Sequence, residues 1–338
     1  MKKKYFSYID LFKFIFSICI VALHTEIFYN HINNFSWYII HGIFRLAVPF
    51  FFVISGFFYC NKCLKDEIHV KNITKKYIRR LLSPFIFWLL LGLVISEFRI
   101  TYQKNIIYTI MLLIKKVLFY PWGALWYISA LIVSIAILSF FYKRKKYIEP
   151  LIIGSMLYVF ALLSNSYYFV IINNHFLKFI IDKYMAFFIS SRNGIFVGLL
   201  FVSLGGLISL LYNRYKLFSK KTNIIFLILS YIILLIEIKI VKNNIYADDH
   251  SLFLFLPIVM FFFCSLLLQI KGKKDYIKLR NMSIIIYFIH RPILSVINLY
   301  FNVKLGLLCF IIVCILSIII SFILIKINNK YVKKFTLT

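Results

Sequence analysis

The sequence is short of charge, and above all of acid. Of its 338 residues 15% are charged, and Asp and Glu together number 11, against about 25% charged residues in a soluble domain. With 62% of the residues hydrophobic, too little polar surface remains to cover the chain in water, which excludes a water-soluble globular protein. Cysteine is also scarce in any useful pattern. Cys60 and Cys63 form a C-x-x-C, but no second pair completes four zinc ligands, and Cys19, Cys264, Cys309 and Cys314 fall within apolar runs. No metal site and no disulfide framework is expected. No period of 20–50 residues recurs and no inverted repeat is visible, which slightly disfavours many transporter folds. The basic start followed by an apolar run imitates a signal peptide, yet Asp10 and Lys13 interrupt the run and no small-residue cleavage site follows, so a retained first helix is expected.

What the chain has in abundance is apolar runs long enough to cross ~30 Å of hydrocarbon. Ten are read, at 9–28, 37–60, 81–98, 122–141, 148–169, 193–212, 224–241, 252–270, 282–299 and 305–325. They predict an all-α, polytopic fold of about ten transmembrane helices in one membrane domain, residues 1–338. Stretches 105–120 and 174–190 are apolar but interrupted by Lys115, Lys116, Lys178, Asp182 and Lys183, as in interfacial amphipathic helices.

Most of the 40 Lys and Arg lie between the runs, not on one face, so no nucleic-acid partner is expected. With an inner N-terminus, the inner segments hold 27 of them and the outer segments 10. That asymmetry predicts both termini in the cytoplasm of a cell-membrane protein bathed in lipid bilayer.

Apart from Lys239, two residues from the outer edge of its run and counted with the outer segments, three cations lie within the runs: Lys13, Arg45 and Arg291. A cation at the centre of a span costs ~2.5–3.5 kcal/mol on insertion scales and usually faces a water-filled cavity or a ligand. Lys13 is near the inner end with Asp10 at i−3 as partner. Arg45, read as part of a continuous second helix, lies eight residues in from Trp37, or ~12 Å deep. Arg291 sits beside His290 and before Pro292, which breaks the helix ladder. Lys13 and His24 are eleven residues apart, ~16 Å and close to three turns, so a base near the inside shares a helix face with an imidazole near the outside. His41 on the second run is expected at a similar outer depth.

At this point the chain resembles the acyltransferase-3 family of integral membrane O-acyltransferases. The resemblance rests on residues 9–25, with Lys13 and His24, and on 44–57, with Arg45, Pro49 and Gly56. It continues through 76–88, with Lys76, Arg79, Arg80, Pro84 and Trp88, then Leu125-Trp126-Tyr127, Arg192-Asn193-Gly194 with Gly205, and 286–290 ending in His290. These fall in the family's order along nearly the whole chain. Two positions depart from it: many members carry Arg in place of Lys13, and some carry a polar residue in place of Ala124.

The resemblance implies transfer of an acetyl or other short acyl group from cytoplasmic acyl-CoA to a hydroxyl of an envelope polysaccharide or lipid-linked sugar, with acyl-CoA as co-substrate and no bound cofactor. Lys13, Lys76 and Arg80 would hold the donor's phosphates. His24 would act as general base or briefly carry the acyl group, and Arg45 would stabilise the oxyanion or position the thioester. His41, Trp126, Tyr127, Arg192, His290 and Arg291 would line the acceptor cavity. Glu26, Glu97 and Glu237 are the outer carboxylates, none of them assignable to His24 from sequence. The alternative is a transporter or exporter of polysaccharide or of a small polar solute built on the same helices.

Overall fold

The computed structural model describes residues 6–29, 33–94, 106–119, 121, 123–244, 250–272 and 274–327, and among these every regular element is helical. In chain order they are α1 Ser7–His24, α2 Asn34–Gly42, α3 Ala47–Lys65, α4 Val70–Val94, α5 Ile106–Phe119, α6 Trp126–Tyr142, α7 Glu149–Leu163 and the single turn α8 Tyr168–Ile171. There follow α9 His175–Phe188, α10 Leu199–Arg214, α11 Lys220–Asn243, α12 Leu256–Gln269, α13 Ile277–Phe301 and α14 Leu307–Ile327.

Seven helical stretches are long and apolar enough to cross a membrane: Ser7–His24, Asn34–Lys65, Gly123–Tyr142, Gly194–Arg214, Lys220–Asn243, Ile277–Phe301 and Leu307–Ile327. The protein is therefore a helical, multi-pass membrane protein. Of the three remaining runs, 148–169 and 252–270 form the shorter apolar helices α7 and α12, 15 and 14 residues long. The run 81–98 is the second half of α4, whose first half is basic, and its last residues lie outside those described. The two interrupted stretches are α5 and α9, with bounds close to those expected.

α10 is the central helix, buried along almost all of its length, and its main partner is α3. Between helices bathed in lipid no hydrophobic effect draws them together, and close approach of backbones takes its place. Glycine makes that approach. A Cβ built on Gly56 would lie 2.1 Å from the Val202 carbonyl oxygen, and one on Gly205 would lie 2.1 Å from that of Val53. α7 packs on the same helix through Gly154, which faces the backbone of Leu199 and Leu200. α1 lies against α13, and α13 against α14. α11 and α14 are peripheral and turn rows of Ile, Leu and Phe outward, as helices facing lipid do.

Three of the spans contain a turn that is not α-helix. The second expected span breaks between α2 and α3 into a 3₁₀ turn, Phe44–Leu46, so Arg45 does not lie deep in a continuous helix. Pro49, in the first turn of α3, has no N–H to extend the ladder back through Arg45. The fourth begins with the 3₁₀ turn Gly123–Leu125, and the sixth with a π turn, Gly194–Gly198.

Candidate active site

His24 is the last residue of α1. The chain just beyond it is pinned: Thr25, fully buried, donates its hydroxyl to the Val21 carbonyl at 2.9 Å, and its own carbonyl accepts the Gly306 N–H at 2.9 Å. α13 runs alongside and brings His290 to the same level. The two imidazoles stack with centroids 5.3 Å apart and planes at 30°. His24 is half-buried, whereas His290 is 1% exposed. The Nδ1 of His290 lies 2.9 Å from the Ile286 carbonyl oxygen. A carbonyl only accepts, so Nδ1 carries the hydrogen and donates it.

Three guanidinium groups surround this pair, and the charges of Arg291, Arg192 and Arg45 all act on His24. Each is delivered by one of the irregular turns or packs on one. Arg45 is the middle residue of the 3₁₀ turn before α3. Arg192 precedes a tight cap in which the Asn193 side-chain oxygen accepts the N–H groups of Ile195 and Phe196 at 3.0 and 3.1 Å. Gly194 and Gly198 let that turn touch α6, where a Cβ would meet the Ala130 carbonyl and the Ser134 hydroxyl at 2.5 Å. Arg192 then sits over the Trp126 ring at 5.9 Å, a cation–π contact. Arg291 lies across Gly123, whose φ of +55° lies in the left-handed region that favours glycine. Tyr287, one turn before Arg291 on α13, donates its hydroxyl to the Ala124 carbonyl.

A second basic group forms near the other end of α1. Lys13 Nζ is 3.4 Å from Asp10, whose other oxygen is 3.5 Å from Arg280 of α13. The charges of Arg280 and Arg80 both reach Lys13. Arg80 projects from α4, where Lys76 is exposed on the neighbouring turn. Polar side chains lead from here toward the histidines. Tyr77 is near Arg80 and interacts with Ser55, the Ser55 and Tyr127 hydroxyls are 3.1 Å apart, the Tyr127 and Tyr287 rings are 5.7 Å apart, and Tyr287 lies 6.4 Å from His290.

The structure thus gathers His24 and His290 with Arg45, Arg192 and Arg291, sets Trp126 under Arg192 and Tyr127 beside Tyr287, and brings Arg80 near Lys13. His41 belongs elsewhere. It packs on Trp37 with ring centroids 4.0 Å apart and planes at 41°, and lies against Phe253. Glu237 is also engaged away from His24, accepting the Tyr167 hydroxyl at 2.6 Å and the Leu254 and Phe255 N–H groups at 2.5 and 3.0 Å. Glu26 is exposed, and Glu97 and Trp122 lie outside the described residues. Sequence reasoning left Ser55, Tyr77, Arg280 and Tyr287 without roles. Ser55 and Tyr287 stood inside matched motifs, but no local signal placed Arg280 against α1.

Two imidazoles beside three guanidinium groups can hold and move a proton beside a carbonyl whose developing negative charge the cations would stabilise. That is the chemistry of acyl transfer. Comparison with known proteins agrees at the level of family. The chain is 28% identical over 274 residues to an amino-acid racemase of Enterococcus faecalis, a match covering 81% of this chain and 37% of that protein. It is 27% identical over 289 residues to a serine/alanine racemase of Enterococcus gallinarum, covering 83% and 40%. A second amino-acid racemase of E. faecalis matches at 24% over 334 residues, 95% of this chain and 46% of that one. The chain therefore spans less than half the length of the curated relatives it matches. No solved structure matches it. The family model described as an acyltransferase domain matches residues 6–326, and on that match the chain belongs to the acyltransferase-3 family.

Proposed function

We propose that this protein is a membrane O-acyltransferase that moves an acetyl or other short acyl group from acyl-CoA to a hydroxyl of a cell-surface glycan or lipid-linked sugar. The observation that carries the reading is the pairing of two levels on α1: His24 within the imidazole and guanidinium cluster, and Lys13 within a basic group about 16 Å away along the axis. The reaction needs that separation. CoA offers phosphates at one end and a thioester at the other, joined by a pantetheine arm. Lys13, Arg80 and Arg280 hold the phosphates, with exposed Lys76 at the margin, and Tyr77, Ser55 and Tyr127 line the arm. His24 meets the thioester as base or acyl carrier, and Arg45 and Arg291 attract the carbonyl oxygen. Trp126, steadied by Arg192, offers the sugar a ring face. The donor side is the cytoplasm, the acceptor side the outside, and the membrane the cell membrane.

The names of the relatives favour a second reading, in which the chain handles an amino acid as a membrane carrier. The two are separated by purified protein in nanodiscs given acetyl-CoA, and by proteoliposomes given labelled serine. An acyltransferase releases CoA, and His24→Ala lowers that release about 10²–10⁴-fold. Serine uptake without CoA release, or an active His24→Ala, refutes the proposal.

A further inference from the structure

The histidine of α13 carries more than a place in the cavity wall. His290 is all but fully buried, and its Nδ1–H is spent on the Ile286 carbonyl. In a neutral ring the other nitrogen, Nε2, is then a bare acceptor. Nε2 is buried, and among the described residues no hydrogen-bond donor reaches it. A buried acceptor left without a donor is costly. The ring is nevertheless held in one orientation, by the Nδ1 bond and by stacking on His24. The stack also limits what His290 does for its neighbour: planes at 30° with centroids 5.3 Å apart set the rings face to face, not nitrogen to nitrogen. His290 is therefore not the orienting partner of His24, and its Nε2 is left as an unpaired acceptor beside the His24 ring.

We propose that His290 Nε2 is the base that takes the proton of the acceptor hydroxyl, and that His24 carries the acyl group. This rests on the acyltransferase reading above. In the first step a His24 nitrogen bonds to the acyl carbon, the carbon–sulfur bond breaks, and CoA leaves as thiolate. In the second, the acceptor oxygen bonds to the acyl carbon as its O–H proton passes to His290 Nε2, and the carbon–nitrogen bond to His24 breaks. The proton on His290 then neutralises the thiolate. Nothing is oxidised or reduced, and both rings end the cycle as they began it.

The test uses full-length protein in nanodiscs, acetyl-CoA as donor, and methyl glucoside or water as acceptor, with rapid-quench detection of free CoA. His290→Asn keeps an amide N–H where Nδ1–H meets the Ile286 carbonyl and removes Nε2. The expected result is a burst of about one CoA per protein, as in the wild type, followed by turnover slowed about 10²–10⁴-fold. Added imidazole is expected to restore part of the turnover in His290→Ala. Turnover of His290→Asn within threefold of wild type overturns the proposal, and so does loss of the burst together with turnover, which marks His290 as a packing residue or as needed for the first step. A wild type that releases no CoA defeats the acyltransferase reading itself, a result distinct from either.

Discussion

Replacing Gly205 by alanine adds one methyl group at the closest helix crossing in the molecule. The built Cβ sits 2.1 Å from the Val53 carbonyl oxygen and 2.6 Å from the Phe57 nitrogen. Both are backbone atoms, so no side chain can swing aside. The closest ordinary carbon–oxygen approach is about 3.3 Å, and α3 and α10 must therefore part by roughly 1 Å. Overpacking of this kind typically costs about 1–3 kcal/mol. For a chain of this size that corresponds to a fall of roughly 1–4 °C in apparent melting temperature. Activity is expected to fall further than stability, because the two helices hold the turns that carry Arg45 and Arg192, and a shift of about 1 Å at a reaction centre can cost about 10²-fold. Thermal unfolding of the purified variant, followed by cysteine-reactive dye, reads the first effect, and CoA release at a permissive temperature the second. If Gly205→Ala melts and turns over like the wild type, the crossing does not position the site.

At the donor mouth, Lys13→Ala and Arg80→Ala should each raise KM for acetyl-CoA about tenfold or more while changing kcat less, since a contact to phosphate acts equally in ground and transition states. Lys13→Arg should keep the affinity, because guanidinium pairs phosphate bidentately, and unchanged KM in both alanine variants would place the nucleotide elsewhere. For orientation, all six native cysteines are buried, so single cysteines at the exposed positions Lys71 and Tyr29 report cleanly. An impermeant maleimide added to intact cells should label Tyr29→Cys and not Lys71→Cys, and the reverse result would invert the protein and move the donor side with it.

The helices were legible because lipid permits little else: apolar runs of sufficient length must satisfy their own backbone groups. The cations were legible for a related reason, since charge within such runs demands a partner or a cavity. Asp10 and Lys13 could be paired by the i, i+3 rule alone, and the structure bears out that contact. Other features depended on separations that no local pattern encodes. His24 and His290 stand near opposite ends of the chain, and only the packing of α13 on α1 brings their rings together. Arg280 reaches Asp10 through the same packing.

The failure at Arg45 is more instructive. Periodicity put it deep in a continuous helix, and Pro49 was present to argue otherwise. Gly123 and the Asn193-Gly194 pair marked similar breaks at the starts of two further spans. Non-helical backbone at membrane depth survives only where protein or a cavity satisfies it, so a break in a span and a cation beside it are two symptoms of one cause. Arg45 lies within one break, Arg192 directly before another, and Arg291 across the glycine of the third. A reading that had set helix breakers against intramembrane cations, instead of weighing each alone, would have drawn all three arginines to one place before any coordinates existed.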